Sequence, residues 1–212
     1  MYNKPNLFFD VDNTMFDSNH LMLEALNELF GIKAVISDFY NNPTLSVILE
    51  RYKPELCLEF SHDEISKRFS EYFLDSHEKH EAIEPFPDMP EVITKLSKRY
   101  NIWVNTARPH SSLPVLRSLF QKYTPGCVTG IHCVWHYLNG KYHKKLSKRE
   151  FIIKGVRGTN RAFFDDCPDH IRDIQDIIPS YLFDPTGTYD AEPGIHNRVR
   201  SWKEKEELSI LI

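Results

Sequence analysis

Basic charge, glycine and paired cysteine are what this 212-residue chain has little of. Net charge is −4, and no basic patch with interleaved aromatics occurs, which argues against nucleic acid as a partner. The 8 glycines form neither a Walker loop nor a kinase glycine loop, which excludes both kinds of nucleotide enzyme. Cys57, Cys127, Cys133 and Cys167 lack the spacing of a disulfide framework or a zinc ribbon. Reduced thiols and a cytoplasmic location are therefore expected. None of the four has arginine six positions on, where Asp63, Cys133, Asn139 and Asp173 stand, so a Cys-x5-Arg phosphatase is excluded. No apolar stretch approaches a membrane span, and the N-terminus lacks a signal-peptide pattern.

What is present begins with Leu7-Phe8-Phe9, an apolar run ending in Asp10-Val11-Asp12-Asn13-Thr14. Side chains two apart on extended chain project together, so Asp10 and Asp12 share a direction at the end of a buried strand. Carboxylates that close repel unless a cation or a shared proton relieves them, and the natural reading is a magnesium site with one carboxylate left as nucleophile. A second apolar run, Ile102 to Val104, ends in Asn105-Thr106, whose hydroxyl could donate to a phosphoryl oxygen. A third, Ala162 to Phe164, ends in Asp165-Asp166 and is followed by Ile171, Ile174 and Ile178 at helical spacing. Between the last two lie Lys141, Lys144, Lys145 and Lys148. Phosphoryl transfer needs a fixed cation besides the metal, and this cluster is where it is expected.

Together these motifs resemble the haloacid dehalogenase (HAD) superfamily of aspartate-nucleophile phosphatases. The resemblance implies a nucleophilic Asp10, a general acid/base Asp12, and a motif-two Thr106. It favours Lys144 as the motif-three cation, with Lys145 second, and places Thr14, Asn13, Ala107 and Arg108 against the substrate. Magnesium would be held by Asp10, the Asp12 carbonyl, and Asp166 with or without Asp165. The further acid or amide usual in the fourth motif falls at His170; Asp169 stands one place early. Dehalogenases of the family lack the second aspartate, so Asp12 favours phosphoester hydrolysis. The substrate is expected to be a small phosphorylated metabolite or a phosphoprotein, including phosphotyrosine. The alternative is a catalytically silent binding module on the same fold.

The expected architecture is an α/β core, a doubly wound parallel sheet over residues 1–17 and 85–212, with a small all-helical cap at 18–84 resembling the superfamily's type-1 cap. Within the cap, Ser18 and Gly31 bracket one helix, and Ser61 with Glu64 forms a capping box. Six Lys/Arg against thirteen Asp/Glu make this segment acidic, which argues against polyanionic substrates such as nucleotides. Phe39, Tyr40 and Tyr52 could offer it an aromatic lining. Core helices are expected from Met89 or Pro90 to Arg99 and from Ser112 to Tyr123, and Ser147 with Glu150 makes a second capping box. The charged tail from Asn197 to Leu208 is expected as a surface helix; its Glu204–Glu207 run fits a solvated helix or the tail of a bacterial effector delivered into a host cell equally well.

Overall fold

The computed structural model describes residues 4–39 and 45–203. Tyr40 and the 204–212 tail, for which a lining role and a helix were expected, lie outside the described residues.

From the amino end, β1 (Asn6–Phe9) runs through a tight loop into β2 (Phe16–Asp17). The helices α1 (Asn19–Phe30), α2 (Leu45–Tyr52), α3 (Pro54–Glu59), α4 (His62–Phe69) and α5 (His77–Glu81) follow. Then β3 (Glu84–Pro85) returns to pair antiparallel with β2. The chain continues as α6 (Met89–Ser97), β4 (Asn101–Pro109), α7 (Leu113–Tyr123) and a hairpin of β5 (Val128–Leu138) with β6 (Lys141–Lys144). A single turn α8 (Lys148–Glu150), β7 (Asn160–Asp165), α9 (Pro168–Ile174), β8 (Ser180–Phe183) and β9 (Arg198–Val199) complete it.

Strand order in the main sheet is β6-β5-β4-β1-β7-β8-β9, parallel throughout except where β6 doubles back on β5. Helices cover both faces of such a sheet, so its central strands are apolar on every residue rather than on alternate ones. Leu7, Phe8 and Phe9 are accordingly all fully buried. Phe9 stands beside Val104 on one flank and Phe164 on the other. That register brings Asp10, Thr106 and Asp165 out at the same edge of the sheet, the carboxyl end where open α/β sheets bind ligands.

The helices between β2 and β3 have an apolar cluster of their own, built on Leu26, Phe30, Ile48, Leu49 and Ile65. Gly31 ends α1 at φ 63°, its amide donating to Asn27 O at 2.7 Å. Left-handed backbone costs glycine nothing and other residues about 1 kcal/mol, which is why the helix stops there. Ser61 caps α4 reciprocally with Glu64, whereas Ser18 makes no side-chain cap. Among the described residues, no helix is long and apolar enough to cross a membrane.

The Asn197–Leu208 expectation is corrected where it can be seen. Arg198–Val199 is an edge strand, and Trp202 folds back beneath Phe9, Phe164 and Phe183, its indole N–H donating to Thr14 O at 3.1 Å. Charge density masked a two-residue strand too short to show alternation. Trp202→Ala should cost about 3–5 kcal/mol, seen as a lower urea midpoint at unchanged slope. A loss under about 1 kcal/mol would mean that the tail is not part of the core.

Candidate active site

Asp10 leaves β1 with its amide donating to Phe164 O at 2.9 Å, and the chain turns at once. The Val11 carbonyl accepts from both Met15 N and Phe16 N, and Asn13 sits at φ 53°. Asparagine tolerates left-handed backbone better than most residues, which accounts for its place in this turn. Val11, Met15 and Phe16 are fully buried and pin the loop from below.

The lysine that reaches the carboxylates is Lys148, not Lys144 or Lys145. Lys148 Nζ donates to Asp10 Oδ1 at 2.8 Å and to Asp165 Oδ2 at 2.7 Å, with all three residues buried. Lys144 ends β6 opposite Trp135, and both it and Lys145 are exposed. The hairpin uses up Lys141 to Lys144 on a solvated edge, and the capping box of Ser147 with Glu150 then turns Lys148 inward as the first residue of α8. Asn105, which sequence reasoning passed over, anchors that turn: its Nδ2 donates to Lys148 O at 3.0 Å.

Asp165 is fully committed. Besides Lys148, it accepts from Cys167 N at 2.9 Å and lies 3.0 Å from His170 Nδ1. Burial works against its ionisation, yet Lys148 and His170 together hold it below the usual carboxylate range. His170 responds in kind: burial and Lys148 depress it, but Asp165 prevails and raises it to about 10. Asp10 differs. Burial, with Asp165 and Asp12 nearby, raises its carboxyl to about 6 in spite of Lys148.

Asp12 is gripped by Arg108 as a fork, with Nε to Oδ2 at 2.8 Å and Nη2 to Oδ1 at 2.6 Å. Burial would raise Asp12, but the guanidinium outweighs it and holds the carboxyl at about 2. The remaining Arg108 nitrogen, Nη1, contacts His80 Nε2 on α5. His80 Nδ1 lies 2.8 Å from the Ser76 carbonyl, which can only accept, so Nδ1 carries the proton and Nε2 is free to accept from Arg108. Burial and Arg108 lower His80 to about 4, and its ring stacks on Phe73. Arg108 therefore joins the helical insertion to the Asp12 carboxylate and has no nitrogen left facing open space, unlike the substrate contact that was expected.

Thr106 is buried on β4, its hydroxyl accepting from Arg108 N at 3.2 Å, while the next residue, Ala107, is exposed. Thr14 is fully enclosed, with an unpartnered hydroxyl and a carbonyl bound by Trp202, so it supports the loop instead of facing a substrate. Asn13 reaches the surface of a cavity of about 350 Å³ that also holds Asp17, His20, Asp166 and Asp184.

The donor set fits a hard divalent cation. Asp10, Asp165 and Asp166 each place a carboxylate oxygen within 4.8 Å of the others. Among the described residues, Asp166 has no hydrogen bond or ion pair, although burial and the neighbouring Asp165 and Asp10 push its carboxyl well above the ordinary value. Oxygen-only ligands of this kind suit magnesium. Asp165, already engaged on both oxygens, is the poorest donor of the three.

The family model for haloacid dehalogenase-like hydrolases matches residues 7–121, which span β1 through most of α7. No curated protein sequence matches the chain. Among solved structures, a protein described as a phosphoglycolate phosphatase from Lactobacillus delbrueckii subsp. bulgaricus superposes with a TM-score of 0.63 at 15% identity, covering 98% of each chain. CbbY from Rhodobacter sphaeroides, in complex with phosphate, gives 0.63 at 16% identity over 96% of each chain. The HAD-type hydrolase YfnB from Bacillus subtilis, bound to magnesium, gives 0.59 at 13% identity over 99% of each. At such identities these structures share the fold.

Proposed function

This chain belongs to the haloacid dehalogenase-like hydrolases, and on that premise we propose that it is a magnesium-dependent phosphomonoesterase working through an aspartyl-phosphate on Asp10. The observation that carries the reading is Lys148 spanning Asp10 and Asp165 beside an unpaired Asp166. Asp166 is half-buried beside Asp10 and Asp165 with no cation of its own, and a divalent ion there would relieve the repulsion among the three carboxylates.

Asp10, Asp166 and the Asp12 carbonyl would hold the ion, which when bound neutralises charge on the phosphoryl oxygens. Asp10 Oδ1 is taken by Lys148, which leaves Oδ2 to attack phosphorus in line as the bond to the leaving oxygen breaks. Lys148 balances the charge that spreads onto the equatorial oxygens. Asp12 then takes a proton from water as that water cleaves the aspartyl-phosphate and releases inorganic phosphate. The Arg108 fork keeps Asp12 ionised for this second step. For the first step, in which Asp12 gives a proton to the leaving oxygen, the fork must loosen. The helices at 18–84 would act as the cap that excludes water and admits a phosphorylated small molecule.

Acid quenching during turnover of phenyl phosphate with magnesium, followed by peptide mass spectrometry, should find one phosphoryl group on the peptide holding Asp10. Asp10→Asn should lack both the adduct and turnover. Magnesium-dependent turnover that survives in Asp10→Asn would rule out the covalent route.

A further inference from the structure

We propose that the substrate's leaving group is aromatic and uncharged, and that it sits in a cavity between α4 and the β5–β6 hairpin with Trp135 as its stacking wall. The proposal rests on the phosphatase reading above and names its substrate class.

Two cavities lie on the helical insertion's side of the sheet's carboxyl end, one reaching Asp166 and one reaching Ala107, and their linings differ in kind. The one that contains Asp166 also carries Asp17 and Asp184 and belongs to the cation side. The other, of about 340 Å³, is lined in part by Ala107, the exposed residue directly after Thr106. Its walls are Phe69 and Leu74 from the helical insertion, with Pro109, Trp135 and Tyr142 from the sheet side. That volume accommodates a bicyclic ring, and an apolar wall with a few polar groups at its rim is the usual make-up of a small-molecule site.

Trp135 is the specific pointer. It is 37% exposed, an uncommon state for so large an apolar side chain on a sheet. Among the described residues, its ring meets no other aromatic and its indole N–H has no hydrogen bond, while Tyr137 and Tyr142, two residues along β5 and across on β6, meet edge to face with centroids 5.0 Å apart. The cavity is held open by polar ties from hairpin to insertion: Tyr142 Oη donates to Ser70 Oγ at 3.0 Å, and Tyr142 N to Asp63 Oδ1 at 3.3 Å. An indole face left bare beside a preformed slot offers stacking at little cost in ordering.

Charge disfavours the alternative. Among the described residues, no lysine or arginine lines this cavity; Asp63 does, and the one group there able to carry a positive charge is the exposed His62. A leaving group bearing its own carboxylate or second phosphate, phosphoglycolate included, would enter beside Asp63 with no permanent cation to pair it, which is unfavourable. An aryl ester meets no such penalty. In the balanced reaction, Asp10 bonds to phosphorus as the aryl oxygen departs and takes a proton, and water then releases phosphate, leaving a phenol and inorganic phosphate.

The test compares acetyl phosphate, 2-naphthyl phosphate and 2-phosphoglycolate on the full chain with magnesium, and the binding of naphthylmethyl phosphonate by tryptophan fluorescence. kcat/KM for 2-naphthyl phosphate should exceed that for phosphoglycolate by at least about tenfold. Trp135→Ala should raise the naphthyl KM about tenfold with acetyl phosphate unaffected, and Trp135→Phe should restore most of the loss. Phosphoglycolate turned over as well as the aryl ester, or equal losses on acetyl phosphate in Trp135→Ala, would overturn the proposal. If nothing is turned over, the phosphatase reading fails by itself: quenching by the phosphonate that Trp135→Phe abolishes would still support an aryl site, and its absence would remove that too.

Discussion

Lys148→Ala is expected to lower kcat by about 10²–10³-fold and stability by about 3–5 kcal/mol, while Lys144→Ala leaves both within error. Two buried carboxylates share this one ammonium at 2.8 and 2.7 Å. Its removal leaves Asp165 with His170 and Cys167 N but Asp10 with no cation, and Asp10 must take up a proton or a cation to remain buried. The loss of activity follows separately, since among the described residues no other lysine contacts Asp10 or Asp165. Lys144 is exposed on a strand edge, where substitutions usually change stability by less than about 0.5 kcal/mol. The two effects of Lys148→Ala can be told apart with magnesium: a bound cation should restore part of the melting temperature and none of the turnover. Equal activity losses in the two variants would overturn the assignment of Lys148.

The error over that lysine shows where the sequence stops being readable. Strands delivering Asp10, Thr106 and Asp165 are legible because a sheet buried on both faces leaves continuous apolar runs that end where polar chemistry begins. The capping box at Ser147 is legible too, as is its consequence: Lys148 opens a helical turn, while Lys144 precedes it by a full hairpin end. Read together, the lysine cluster and the cap would have selected Lys148 without coordinates. The resemblance of residues 142–147 to a lysine segment of the family points to Lys144 instead, because the length of a hairpin leaves no fixed mark on sequence.

Other contacts had no signal to read. Arg108 and His80 lie 28 residues apart, on a strand end and a helix of the insertion, and neither belongs to a periodic pattern that pairs them. Only the family resemblance places Arg108 against a substrate. The structure spends its fork on Asp12. Asn105 was passed over because a buried asparagine in an apolar run reads as strand, and only the fold shows its amide supporting Lys148. Trp202 closes beneath β1 across 188 residues of sequence from Thr14. What the chain declares locally, caps and strand ends, could be read; what depends on elements meeting across the fold could not.

Arg108→Ala is expected to slow hydrolysis of the aspartyl-phosphate by about 10²-fold at neutral pH and to move its acid limb to higher pH. The reasoning separates the steps. Once Asp10 is phosphorylated it no longer titrates, and a shift in the acid limb of dephosphorylation between the intact protein and Arg108→Ala reports on Asp12, the carboxyl that Arg108 holds. In the intact protein the guanidinium holds Asp12 at about 2, so its carboxylate persists far into acid. Without the fork, burial is opposed only by the smaller influences of Ser18 and His80 and raises the Asp12 carboxyl, so the base form needed to take a proton from water is lost at a higher pH. The rate also falls because a carboxylate no longer oriented by two short hydrogen bonds meets water less productively. Arg108→Lys keeps a charge without the planar fork, so it should restore the acid limb more fully than the rate. His80→Ala, which withdraws one of Arg108's contacts, should move both quantities the same way by less. The chase of isolated phosphoenzyme across pH is the measurement, and an acid limb unmoved in Arg108→Ala would remove Asp12 as the base of the second step.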